Sequence, residues 1–292
     1  MRCNLCPRVC GADRRSSFGQ CHAAADTARV ARSMLHHWEE PFLSGQRGSG
    51  AVFFSGCNLG CVFCQNEPLQ SGALGRSYNP EELCDLFLEL ESQGAHNINL
   101  VTPTPHIHII LKALRLAKKR GMALPVVYNT SAYERKESLR ALEGSVDIYL
   151  PDLKYVSSDL SGRFSHAEDY FVFAGPAISE MYRQVGDLSL DGQGMAQRGL
   201  IIRHLILPGC LDDSRRALRY IANNYPLGTA LSLMRQYAPT PRAMSTPLNR
   251  TLTQREYDRI ISYAIDLGLN NILIQGKDSA NLDFTPSFTD YK

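Results

Sequence analysis

Cys57, Cys61 and Cys64 stand in the run Phe53-Phe54-Ser55-Gly56-Cys57-Asn58-Leu59-Gly60-Cys61-Val62-Phe63-Cys64-Gln65-Asn66, spaced C-x3-C-x2-C directly after an apolar, strand-like stretch. Thiols this close together fold a short loop around one metal group, and Gly56 and Gly60 let the backbone pass close to it. Cubane iron–sulfur clusters are normally held by four cysteine thiolates. Three thiolates leave one iron with an open position, and an open position is where metal chemistry takes place. A tetrahedral zinc site completed by a fourth ligand, or three unconnected thiols, is the plainer alternative.

The chain has 292 residues, 44% of them hydrophobic, enough for one large domain or one domain with an appendage. A formal net charge of +2 argues against nucleic acid or a membrane as partner, and Arg14-Arg15 and Lys118-Lys119-Arg120 read as solvated surface. Nine cysteines would suit a secreted disulfide protein, but Met1-Arg2-Cys3 opens with no apolar segment. No stretch approaches the ~20 apolar residues of a membrane span. The expectation is a soluble cytoplasmic protein in a reducing compartment, where clustered cysteines bind metal or do redox work. Cys84 falls on the apolar side of a predicted helix, and Cys210, after Pro208-Gly209, is given no special role.

Behind the cysteine loop, strand and helix patterns alternate. Asn79 caps a helix that Pro80 opens, Leu83, Leu86, Phe87 and Leu90 line, and Gly94 closes. Further helices are predicted over 106–120, 134–142 and 214–225, and from the capping box Thr253-Gln254-Arg255-Glu256 to Gly268. The stretch 157–187 reads as helix broken at Gly175-Pro176, and 192–199 as a polar loop. Strands are predicted near 51–55, 98–101, 125–130, 146–153, 200–207, 230–237 and 271–275. Such alternation predicts a parallel sheet with right-handed crossovers. The strand count fits an α/β fold, a partial (β/α)6 barrel of parallel strands with a small N-terminal cysteine-rich appendage. An open doubly wound sheet is the alternative. In either, functional groups gather at the C-terminal strand ends. Residues 1–47 read as a cysteine-rich segment, 48–278 as the barrel and 279–292 as a tail with little periodicity.

Cys3, Cys6, Cys10 and Cys21 form a second group, C-x2-C-x3-C-x10-C, with Pro7, Gly11 and Gly19 among them. So short a segment has almost no apolar core, and a bound metal would supply its folding energy. Structural zinc and a second iron–sulfur cluster both suit the spacing; a flexible reduced tail is the alternative.

The cysteine loop, with Phe63 before its last cysteine, resembles the signature of the radical S-adenosylmethionine superfamily. The likeness extends to Cys3-Asn4-Leu5-Cys6-Pro7-Arg8-Val9-Cys10-Gly11, His36-His37-Trp38-Glu39-Glu40-Pro41, Gly48-Ser49-Gly50 and Cys64-Gln65-Asn66. It continues in Asn99-Leu100-Val101-Thr102-Pro103-Thr104, Tyr128-Asn129-Thr130-Ser131, Tyr149-Leu150-Pro151-Asp152-Leu153-Lys154-Tyr155, Arg203-His204-Leu205 and Met234-Arg235-Gln236-Tyr237. These resemble the branch related to pyruvate formate-lyase activating enzyme, over nearly the whole chain to about Gly268. The resemblance implies a [4Fe-4S] cluster on Cys57, Cys61 and Cys64, with S-adenosylmethionine chelating the open iron through its amino and carboxylate groups. Reductive cleavage then yields a 5′-deoxyadenosyl radical that abstracts a hydrogen atom, chemistry that belongs to the cofactor while the protein positions and shields it. It also implies an electron donor such as a flavodoxin or ferredoxin. The substrate is unidentified, a protein as for a glycyl-radical activase or a small molecule. The alternative function is a non-catalytic iron–sulfur electron carrier, which would gain little from an open iron.

Phe63 and Asn66 enter the cofactor site through the resemblance. Thr102 and Thr104 stand where the better-known activating enzymes carry Gly-Gly-Glu for the S-adenosylmethionine amino group; hydroxyls and backbone carbonyls can accept from an ammonium. Asn129, Thr130 and Ser131 close a strand and can hold the carboxylate or ribose, or form a capped turn. Asp152 and Lys154, two apart, share one face and are costly there unless paired or ligand-bound. Arg203 and His204 point to opposite faces; Arg203 is the one placed in the lumen, to meet a carboxylate, and His204 in the core. Arg235 and Gln236 repeat that pattern. His36, His37 and Trp38 can line the substrate end, while Glu39 and Glu40 cap or brace the approach to the first strand.

Overall fold

The computed structural model describes residues 2–244 and 246–276 together with Ser279, Pro286 and Phe288. The rest of the 279–292 tail lies outside the described residues. Among the described residues there are ten strands: β1 (Ala28–His36), β2 (Ser49–Phe54), β3 (Arg76–Tyr78), β4 (Ile98–Val101), β5 (Val126–Thr130), β6 (Ile148–Pro151), β7 (Ser189–Leu190), β8 (Ala196–Leu205), β9 (Ala230–Met234) and β10 (Ile272–Ile274). The helices are α1 (Pro41–Ser44), α2 (Pro80–Ser92), α3 (Ile107–Lys119), α4 (Lys136–Arg140), α5 (Ser158–Ser165), α6 (Tyr170–Val185), α7 (Leu211–Asn224) and α8 (Gln254–Asp266).

The sheet runs β10-β9-β8-β6-β5-β4-β2-β1-β3, with the short β7 on β8. Every pair from β2 to β10 along this path is parallel. These parallel strands follow one another in chain order with no reversal, so the sheet winds one way, as an open barrel, and is not doubly wound. β1 adds antiparallel to β2 and β3 antiparallel to β1. The sequence reading did not foresee β1, whose Arg29, Arg32 and Ser33 interrupt its apolar residues.

Strand alternation separates two faces. Outward, Tyr128, Tyr149, Leu200 and Ile202 join a core with Phe87 and Leu90 of α2, Ile110 and Leu114 of α3, Ile178 of α6, Leu218 of α7 and Ile260 of α8. Inward, the face changes character along each strand. Its lower end is apolar, where Val127, Ile148, Leu150 and Ile201 pack with Leu43 of α1 as a plug. One or two inward positions further on come Asn129, Asp152 and Arg203, so the C-terminal strand ends carry the polar groups.

Helix boundaries follow their caps. Asn79 and Thr253 each close a full capping box at α2 and α8. The helical stretch after Ser157 breaks at His166, which has φ of 52°, and not at Gly175-Pro176. α6 runs through Pro176 because the carbonyl that loses its donor belongs to Val172, an exposed residue that water can reach. The predicted helix over 134–142 shrinks to α4 because Glu134 turns inward and is buried. The expected loop at 192–199 is instead largely the β7–β8 hairpin, its turn held by Asp191 Oδ1 accepting from the backbone N–H of Gln193 and Met195.

The N-terminal segment lies against the cysteine loop. A Cβ on Gly56, whose φ is 97°, would stand 2.2 Å from the Cys21 carbonyl oxygen. Gly56→Ala should therefore part the two segments and cost about 2 kcal/mol or more of stability. Urea unfolding measures it; a loss under about 0.5 kcal/mol would mean the contact is not held in solution.

Candidate active site

The three cysteines of the loop, with Phe63 and Asn66, line a cavity of about 230 Å³ at the C-terminal ends of the strands. Ser165 Oγ donates to Cys61 Sγ at 2.9 Å and the Leu59 N–H to Cys57 Sγ at 3.4 Å. Burial, reinforced by Cys61 and Cys57, pushes the Cys64 thiol up to about 12. Burial also raises Cys61, against the Lys154 charge and the Ser165 hydrogen bond. Crowded buried thiols with donors aimed at sulfur suit a bound cationic metal group, which supplies the positive charge that ionises them. The residues present therefore fit a metal cluster. Phe63 is walled by Tyr155 and Tyr237, with ring centroids 6.4 and 6.1 Å away.

Arg8 fixes this loop from outside. Its guanidinium donates to the carbonyls of Asn58 at 2.8 Å, Leu59 at 3.1 Å and His166 at 2.6 Å, and lies 5.2 Å from the Tyr133 ring centroid. Asn58 Nδ2 in turn donates to the Tyr133 carbonyl at 2.7 Å.

Opposite the loop, Arg203 organises the polar lumen. It donates to Asp152 Oδ1 at 2.8 Å, Asn129 Oδ1 at 2.6 Å and Glu39 Oε2 at 3.3 Å. Glu39 Oε1 also accepts from Asn99 at 3.0 Å and Asn129 at 3.3 Å. Lys154 Nζ donates to Asp152 Oδ2 at 2.7 Å. Burial alone would push the Asp152 carboxyl up; the Arg203 and Lys154 charges outweigh it and hold it below the ordinary carboxylate range. Glu39, read from sequence as a brace, is thus an inward ion-pair partner. Neighbouring Glu40 is pushed up by burial, and its Oε2 has no hydrogen-bond partner among the described residues.

The third wall is built from β4 and β5. Thr102 follows β4 with φ of 59°, an outlier for a β-branched residue, and its N–H donates to the Asn129 carbonyl at 3.0 Å. Glu134 Oε1 accepts from Thr104 Oγ1 at 2.5 Å, from Thr130 Oγ1 at 2.7 Å and from the Tyr128 hydroxyl at 3.2 Å. Burial pushes the Glu134 carboxyl up to about 7, tempered by those three hydroxyls.

Thus Phe63, Asn66, Thr102, Thr104, Asn129, Ser131, Asp152, Lys154 and Arg203 all face the same cavity as the three cysteines. His36, Trp38 and Gln236 line it too. His204 points away, between the Leu153 carbonyl at 2.6 Å and Ser214 Oγ at 2.9 Å. Arg235 does not repeat the pattern of Arg203: it points away, donating to Gln254 at 2.6 Å over the Tyr257 ring, and Gln236 takes the cavity side. Cys84 is fully buried in α2 and Cys210 half-buried before α7. Sequence reasoning assigned no site role to Arg8, Glu134 and Ser165, whose partners lie far away or behind the cavity wall; the run Cys6-Pro7-Arg8 was visible, but not what Arg8 would hold.

In the second cysteine group, Cys6 and Cys21 are buried, Cys3 half-buried and Cys10 exposed. Burial first, then Cys21 and Cys3 among its neighbours, pushes the Cys6 thiol up to about 11. Among the described residues no three or more His, Cys, Asp or Glu side chains form a ready-made metal-ion site, here or at Cys57, Cys61 and Cys64. No described helix is long and apolar enough to cross a membrane.

A family model described as the Radical SAM superfamily matches residues 51–170. The chain is 30% identical over 281 residues to an uncharacterized protein of Methanocaldococcus jannaschii, covering 92% of this chain and 76% of that one. It is 25% identical over 181 residues to the pyruvate formate-lyase-activating enzyme of Clostridium pasteurianum, covering 59% of this chain and 67% of that one. The crystal structure of Streptococcus suis SuiB bound to S-adenosylmethionine matches in fold with a TM-score of 0.51 at 10% identity. That match covers 76% of this chain and 49% of SuiB, so the chain spans about half the length of that structure.

Arg203→Met leaves Glu39 and one side of Asp152 as unpaired buried carboxylate and should cost about 3–5 kcal/mol of stability. Denaturant midpoints read this directly, and a cost below about 1 kcal/mol would show that water solvates the network.

Proposed function

Because this chain belongs to the radical S-adenosylmethionine superfamily, we propose that Cys57, Cys61 and Cys64 hold a [4Fe-4S] cluster and that S-adenosylmethionine binds beside it in the shared cavity. The superfamily cleaves S-adenosylmethionine by radical chemistry, so the protein is an enzyme. When bound, the cluster and S-adenosylmethionine supply an electron and a carbon radical able to take a hydrogen atom from a substrate. The observation that carries this reading is the convergence of three cysteines, not four, with a polar lumen at the C-terminal strand ends.

The chain's own residues have defined tasks in it. The Ser165 hydroxyl and the Leu59 N–H stabilise negative charge on sulfur. Arg8 keeps the loop carbonyls turned outward. Phe63, Tyr155 and Tyr237 exclude water from one flank. Thr102, Thr104, Asn129, Ser131, Asp152, Lys154 and Arg203 surround the space left for S-adenosylmethionine and substrate, with Asn66 beside the cysteines. The likeness to the Clostridium pasteurianum pyruvate formate-lyase-activating enzyme supports an activase acting on a protein; a flavodoxin or ferredoxin as reductant is part of the same proposal. A small-molecule substrate fits the same cavity.

Anaerobic reconstitution with iron and sulfide, reduction with dithionite and addition of S-adenosylmethionine should yield 5′-deoxyadenosine, and Cys61→Ala should abolish it. A fully loaded cluster that never binds S-adenosylmethionine would favour the electron carrier instead.

We further propose a second metal on Cys3, Cys6, Cys10 and Cys21. Its support is that the charges of Cys3 and Cys10 reach Cys21 and those of Cys21 and Cys3 reach Cys6, so the four thiols stand near one another around Cys21. Metal and sulfide analysis should show a Cys3→Ala/Cys6→Ala variant losing one site's content while the spectrum of the loop cluster stays. Unchanged metal content would dismiss the second site.

A further inference from the structure

Ser165 places a buried hydroxyl between two partners. Its Oγ lies 2.9 Å from Cys61 Sγ and 2.8 Å from the Tyr155 hydroxyl. Ser165 has 0% exposure and Tyr155 1%, so bulk water competes for neither group. Each hydroxyl has one hydrogen to give and lone pairs to receive another. A sulfur that ligates a metal is a thiolate, which accepts and cannot donate. With Cys61 as a ligand, the Ser165 hydrogen goes to sulfur and the Tyr155 hydrogen goes to Ser165. The three groups then form one chain with a single direction, Tyr155 to Ser165 to Cys61. Each hydrogen bond in such a chain polarises the next, so the tyrosine strengthens the serine as a donor.

The backbone fixes where this donor points. Ser165 is the last residue of α5, which ends at His166 with φ of 52°. The Val62 N–H donates to the Phe164 carbonyl at 2.8 Å, so the end of α5 is pinned to the residue after Cys61. Arg8 donates to the carbonyls of Ser165 at 3.4 Å and His166 at 2.6 Å. The Tyr155 ring packs edge-on against Phe63 and Tyr170, with centroids 6.4 and 5.5 Å away. A donor aimed before charge develops costs no reorganisation when it does.

We infer that Tyr155 and Ser165 set the reduction potential of the cluster through Cys61. Tyr155 is a positioning residue, since it acts by way of Ser165. This rests on the proposal that Cys61 is a ligand of a [4Fe-4S] cluster. Uptake of an electron adds one negative charge, part of which falls on the ligand sulfurs. A hydrogen bond to sulfur therefore favours the reduced form over the oxidised one and raises the potential. Cys57 accepts from a backbone N–H at the longer distance of 3.4 Å, so the stronger donor is the one at Cys61.

A redox titration followed by electron paramagnetic resonance tests this on the reconstituted protein without S-adenosylmethionine, with iron content measured alongside. At a fixed potential, Ser165→Ala should lower the ratio of reduced to oxidised cluster about tenfold, a midpoint about 59 mV lower for one electron. Tyr155→Phe keeps the ring and removes the hydroxyl, and should lower the ratio about threefold. The double variant should match Ser165→Ala alone, because Tyr155 acts through Ser165. Iron content should stay as in the unmodified protein. An unshifted midpoint in Ser165→Ala would overturn the inference. Additive shifts would overturn it as well, because they would show Tyr155 acting by its packing. Should Ser165→Ala hold no cluster, Tyr155→Phe decides alone: a lower midpoint supports the chain and an unchanged one overturns it. A Cys61→Ala variant that keeps the cluster spectrum of the unmodified protein would instead overturn the assignment of Cys61 as a ligand, and this inference with it.

Discussion

Arg203 brings a charge that stays ionised into a lumen from which most water is excluded, and the polar half of the cavity is arranged to satisfy it. Its partners come from separate elements: Asn129 from β5, Asp152 from the end of β6 and Glu39 from the turn after β1. Desolvating such a group is repaid only when the geometry is good and the remaining lone pairs are filled. The forked guanidinium meets that demand because it donates in several directions at fixed angles. As a result one side chain of β8 sets the spacing of three neighbours around the space a ligand would fill. The apolar plug below it, Val127, Ile148, Leu150 and Ile201, keeps water from entering from the other end.

The cysteine loop is held by a different device. Its backbone bends through two glycines with positive φ, Gly56 at 97° and Gly60 at 86°, and so leaves carbonyls that no strand or helix satisfies. Arg8 takes two of them, at Asn58 and Leu59, and ties them to the carbonyl of His166 beyond the end of α5. Because Ser165 also donates to Cys61, the end of α5, the loop and the N-terminal segment form one assembly. The cysteine-rich segment is therefore continuous with the site in space, and β1, which follows it, is a full member of the sheet.

The legible parts of this molecule are those set by short-range geometry. Three thiols within one loop must share a neighbourhood whatever the fold. Period-two alternation put Arg203 inside and His204 behind, and placed Asp152 and Lys154 together, because successive strand residues face opposite sides. The N-cap at Asn79 and the capping box at Thr253 gave two helix starts correctly for the same reason: each is a bond between residues three apart. Where local signals competed with packing, packing won. Pro176 sits within α6 because its cost falls on an exposed carbonyl, and the helix after Ser157 ends instead where His166 turns left-handed.

By itself the sequence determined a chain of parallel strands and helices with a three-cysteine loop at the end of the first predicted strand, and the inward residues Asn129, Asp152 and Arg203 beyond it, but not the face past β9, where Gln236 and not Arg235 turns to the cavity. Backbone periodicity and ligand spacing are local properties, so they survive translation from residues to structure. Only the tertiary structure decided that Glu39 reaches across to Arg203, that Arg8 grips the cysteine loop from outside, and that Glu134 gathers Thr104, Thr130 and Tyr128 behind the cavity wall. Those choices join elements tens of residues apart or depend on how a side chain turns at a strand end. They are fixed by which buried polar groups can find partners once the sheet has closed around them.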